Sequence, residues 1–72
     1  MIYSPQTLED MRTAFLGKRV RLIRTTDPYT ELKSGDEGVI DFIDDEATFH
    51  VKWDNGSSLG LIDGEDSWDV LV

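Results

Sequence analysis

The sequence predicts a mainly β fold, a small five-stranded barrel with a short N-terminal α-helix, and three observations carry that prediction. The spacing of apolar residues changes from three-and-four to two immediately after Gly17. Several short alternating segments follow, among them "RVRLI", "GVIDFI", "FHVKW" and "SWDVLV". Glycine, asparagine and aspartate cluster between these segments, where tight turns need them.

Ser4 followed by Pro5 is a helix start, because the hydroxyl can accept a free backbone N–H and proline at the first helical position gives up a donor that had no partner. Thr7 is a second candidate cap. Leu8, Met11 and Phe15 then fall on one face, and Gly17 is suited to end the helix in a left-handed conformation. Residues 1–16 are therefore read as a helix packed on a barrel formed by 17–72. An eleven-residue helix is too short to persist alone, so this face must dock, either on the barrel or on a second copy in a homodimer.

In "KRVRLIRT", Val20 and Leu22 point inward while Arg19, Arg21 and Ile23 point outward. Residues 25–37 have no sustained period and form a long loop. "GVIDFID" and "ATFHVKW" make a hairpin through the acidic turn at Asp44, Asp45 and Glu46. Asn55-Gly56 supplies the next tight turn, "SSLGLI" returns as a strand, and "SWDVLV" closes the barrel with Trp68, Val70 and Val72 on one face. Asn55-Gly56-Ser57 also fits the glycosylation triplet, but is read as turn chemistry. Short strands with one long first loop fit an SH3-like barrel, in which closure removes vulnerable edges. An OB-type barrel would place a helix between the third and fourth strands, where this chain has a turn.

The net charge of -8 is unevenly spread. Residues 1–34 hold six bases against four acids, whereas residues 35–72 hold eleven acids and only Lys52. Such a surface repels phosphate backbones, so direct nucleic-acid binding is not expected, and it attracts basic protein surfaces. The absence of cysteine excludes disulfides, thiolate metal sites and a cysteine nucleophile. The opening residues match neither a secretory signal nor a membrane span, which points to the cytoplasm.

No catalytic set emerges. His50 is the sole histidine, and alternation places it opposite Phe49 and Val51 as a solvated strand residue beside Thr48 and Lys52. Ser57 and Ser58 have no histidine fixed nearby in sequence, and the glycines at 35, 38, 56, 60 and 64 read as turn and bulge positions, not as a phosphate loop. Asp44-Asp45-Glu46 and Asp63-Gly64-Glu65-Asp66 lack the spacing of a calcium loop, so neither metal nor cofactor is expected.

Aromatic residues beside acids are the stronger lead. Tyr29 in the long loop, Asp36 and Glu37 at its far end, Trp53 and Asp54 at the tight turn, and Trp68 form the candidate partner-binding set. Alternation places Trp53 with Phe49 and Val51, which makes it a core candidate too, whereas Tyr29 beside Pro28 is expected to be exposed. A non-enzymatic protein-binding module is the leading expectation. The alternative is an acidic inhibitor of a host defence nuclease, mimicking nucleic acid through Asp44, Asp45, Glu46, Glu65 and Asp66. A weaker third reading is a nucleotide-binding pocket built on Arg19, Arg21 and Arg24.

The stretch from Gly17 to Trp68, above all "GDEGVIDFID" and "WDNGS", resembles the short bacterial and phage proteins of domain of unknown function 4314. That resemblance implies a bacterial or mobile-element origin and no particular activity. "RVRLI" with "SGDEGVIDFI" is also similar to KOW-type barrels, whose basic loops meet RNA, a role that the acidic half opposes. "GDEGVI" with "FHVKWDNGSS" resembles the SH3-like Mind bomb/HERC domain, which implies peptide recognition.

Overall fold

In the computed structural model, which describes residues 5–71, an N-terminal helix α1 (Pro5–Phe15) is followed by five strands. These are β1 (Arg19–Arg24), β2 (Glu37–Ile43), β3 (Phe49–Trp53), β4 (Gly60–Leu61) and β5 (Ser67–Leu71). The proposed Ser4 cap and Val72 lie outside the described residues.

Helix α1 uses the apolar face read from its spacing: Leu8 is buried, and Met11 and Phe15 pack on the barrel core. The Phe15 ring meets Phe49 at 5.6 Å, and Phe49 in turn meets Trp68 at 5.3 Å. This face therefore docks on the chain's own barrel. Gly17 adopts φ 80°, and its N–H bonds the Ile40 carbonyl at 3.0 Å, so the helix exit is tied directly to β2. Arg12 adds a second tie, donating to the Ile43 carbonyl at 3.0 Å and to Asp45 at 3.1 Å.

The strands form one antiparallel sheet in the order β4-β3-β2-β1-β5. β1 therefore sits between β2 and β5 although the chain visits β5 last, and this return curls the sheet around a core of Val20, Leu22, Ile40, Ile43, Phe49, Val51, Trp53 and Leu61. Among the described residues no ladder joins β4 to β5, so the barrel-like fold is open along that seam. Irregular registers between Leu22 and Arg24 and between Ile40 and Phe42 mark where strands bend.

Three features depart from the sequence reading. The long loop contributes to the core through Leu32, which its irregular neighbours disguised. Gly38 and Gly60 are strand residues, not turn or bulge positions. A Cβ on Gly38 would stand 2.5 Å from the Lys52 carbonyl oxygen and 2.7 Å from a Val51 methyl, so glycine there permits β2 and β3 to approach. Finally, "SSLGLI" supplies only the two-residue β4, because pairing with β3 stops at His50–Gly60. Among the described residues no helix is long and apolar enough to cross a membrane.

Candidate functional site

The long loop is held by a relay of side-chain bonds. Thr25 donates its hydroxyl to Asp66 at 2.7 Å and accepts the Asp27 N–H at 3.2 Å, and Asp27 accepts the Tyr29 N–H at 2.9 Å. Its base closes where the Gly35 N–H meets the Leu22 carbonyl at 2.7 Å and Asp36 accepts the Lys33 N–H at 2.8 Å. Leu32 anchors the middle. On this braced frame the Tyr29 side chain stands 92% exposed, as its place beside Pro28 predicts. It borders an open groove of about 550 Å³ lined by Asp27, Thr30 and Glu31 on one side and by Ser57, Ser58, Leu59 and Gly60 on the other.

The remaining members of the partner-binding set do not gather there. Asp36, Glu37 and Asp54 line a separate concavity of about 490 Å³ with Gly35 and Asn55. Two of these three carboxylates are already paired: Asp54 takes Arg19 at 2.8 Å, and Glu37 takes Arg21 at 3.3 Å and Arg19 at 3.6 Å. The Asp54 hydrogen bond is the main reason the Arg19 guanidinium is raised further above its ordinary value. These pairs also remove two of the three arginines proposed for a nucleotide pocket. Trp53 is only 4% exposed, and its indole N–H donates to the Leu59 carbonyl at 2.9 Å, so it is core. Trp68 packs on Phe49 and borders Asp63, Asp66 and Ser67, away from the Tyr29 groove.

The five acids assigned to a charged surface are likewise partly consumed. Asp44 accepts the N–H groups of Glu46 and Thr48 on Oδ1, at 2.9 and 3.0 Å, and the His50 Nε2 proton on Oδ2 at 2.8 Å. The His50 bond, helped by the two backbone donors and opposed by partial burial, holds this carboxyl below its ordinary value. Asp45 pairs with Arg12, and Asp66 accepts from both Thr25 and the Ile62 N–H. Among the described residues, Glu46 and Glu65 make no ion pair. Among the described residues no group of three or more His, Cys, Asp or Glu side chains is placed to hold a metal ion.

His50 differs most from its sequence reading. It is half-buried, bonded to Asp44 and stacked on Phe42 at 4.2 Å with planes 8° apart. Phe42 itself is 49% exposed on the outer face, and its significance was hidden because the bulge after Ile40 changes its register with β3. Alternation from Ile40 would turn Phe42 inward, and it gives no warning of such a bulge.

The geometry of the Asn55-Gly56 turn is also sharper than its dipeptide suggests. Gly56 alone takes the left-handed conformation, φ 85°, while Asn55 uses its side chain to accept the Ser57 N–H at 2.9 Å.

A family model described as domain of unknown function (DUF4314) matches residues 4–71. The chain belongs to this family. Neither the curated proteins nor the solved structures contain a match. Membership thus covers the helix and all five strands, and it carries no assigned activity.

Proposed function

We propose that this DUF4314 chain is a non-enzymatic protein-recognition module of bacterial or phage origin, acting in the cytoplasm, whose contact site is the groove beside Tyr29. The observation that carries this reading is the exposure of Tyr29 on a loop braced from Asp66 through Thr25 and Asp27. An exposed aromatic ring on a stiff support gives contact area at little ordering cost, which is the property of recognition anchors. Asp27 and Glu31 line the groove and no base does, so the favoured partner segment is basic.

The nuclease-inhibitor alternative gains less support, since Asp44 and Asp66 already serve contacts within the chain. Panning a random peptide library on the protein, with counter-selection on Tyr29→Ala, tests the reading. Enrichment of basic peptides that bind about tenfold more weakly to Tyr29→Ala supports it. Selection of the same peptides by both proteins, each folded by circular dichroism, overturns it.

A further inference from the structure

The groove beside Tyr29 has Ser57 and Ser58 in its wall. The same two serines border a second concavity, of about 240 Å³, whose other walls include Asp41, Phe42, His50 and Lys52. The two share Ser57 and Ser58 as a common wall. Backbone pairing from β3 stops at His50–Gly60, leaving the chain at Ser57–Ser58 outside the ladder. Each concavity therefore has its own exposed aromatic ring, Tyr29 in one and Phe42 in the other.

Their electrostatics differ. The first is lined by the carboxylates of Asp27 and Glu31 without a base. In the second, Asp41 and Lys52 stand 3.9 Å apart and offset one another. The Phe42 ring there lies against His50, whose orientation is fixed by Asp44, so a flat apolar surface is presented with little freedom to collapse.

Resting on the protein-recognition reading above, we infer that the two concavities form one channel for an extended peptide segment of a partner protein. A basic side chain of that segment occupies the Tyr29 end, over Asp27 and Glu31. An apolar side chain occupies the Phe42 end, and the intervening backbone crosses Ser57 and Ser58. A cation over an aromatic face flanked by carboxylates, and an apolar group on a stacked ring pair, are the contacts that match each end.

The test uses an array of synthetic peptides in a glycine-serine background, each carrying one Arg and one Leu at every separation, with Arg-only and Leu-only controls. Binding is followed by chemical shifts of the full chain. One preferred separation should bind about tenfold more tightly than either control. Phe42→Thr should abolish the advantage conferred by Leu while leaving Arg-only binding unchanged, and Tyr29→Ala should abolish the dependence on Arg. Arg-dependent binding that ignores both Leu and Phe42→Thr would overturn the channel and leave the Tyr29 reading standing. Binding by no peptide would overturn both. The amide spectra of the two variants, each altered at an exposed ring, establish that they remain folded.

Discussion

The connections on either side of β3 each open on an aspartate and end differently. In the β2–β3 turn, Asp44 bonds two backbone N–H groups and His50, and Ala47 takes a left-handed φ of 64° to close the loop. The strands are then paired right up to this turn, Ile43 opposite Phe49. In the β3–β4 turn, Gly56 closes a comparably tight bend, yet the returning chain stays outside the ladder until Gly60. The indole N–H of Trp53 bonds Leu59 across the interval. The lesson is that acidic turn residues can be spent on structure, whereas an interrupted ladder opens surface. The first connection is a brace, and the second borders both concavities.

The largest expected effect comes from forcing apart the two strands on which both connections depend. Gly38→Ala places a methyl against the Lys52 carbonyl and should cost about 3 kcal/mol, measured by urea denaturation. A loss below about 0.5 kcal/mol would mean that the β2–β3 approach is not tight.

Trp53→Phe separates the connections more directly. Removal of the indole donor leaves the Leu59 carbonyl without its partner and should cost about 2 kcal/mol. Amide exchange should accelerate at residues 57–61 before it does at residues 44–49. Uniform acceleration would show that the two connections open as one unit.

Asp44→Ala attacks the brace and should cost about 1 kcal/mol, since it removes the acceptor of two backbone N–H groups and the His50 bond. The pH dependence has a definite sign. The Asp44 carboxyl lies below its ordinary value of about 3.9 in the folded chain, so its contribution is present above that pH and is lost as pH falls through the lower folded value. Stability of Asp44→Ala should accordingly fall less steeply than wild type below about pH 4. An unchanged acid limb would assign that slope to other carboxylates.

The smallest effect belongs to the recognition ring. Tyr29→Ala should alter stability by less than about 0.5 kcal/mol, because the ring contributes little buried surface. A larger loss would make Tyr29 a structural part of its loop and weaken its role as a free anchor.

Much of the architecture was legible because it depends on local periodicity. Leu8, Met11 and Phe15 at helical spacing, and Val20 with Leu22 at strand spacing, find the faces their positions predict. Gly17 and Gly56 mark conformations that other residues reach only at a cost, and both are left-handed. The exposure of Tyr29 was legible for a related reason, since its loop has no apolar period to draw it inward.

The candidate site was less legible because it depends on partners far apart in the chain. Thr25 meets Asp66, Arg19 meets Asp54, and Arg12 meets Asp45, pairings that no local pattern encodes. These contacts pair several of the predicted acids, with Asp45 and Asp54 still at the surface. Sequence by itself determined the order of the helix and strands, the buried faces of α1 and β1, the excess of acid and the exposed tyrosine. Tertiary structure alone decided which acids are paired, where Trp53 and Trp68 go, and that the concavities beside Tyr29 and Phe42 share a wall at Ser57 and Ser58. The physical reason is that periodicity selects a face through neighbours within a few residues, whereas charge pairing, strand register and the interrupted β3–β4 ladder are fixed only when distant segments meet.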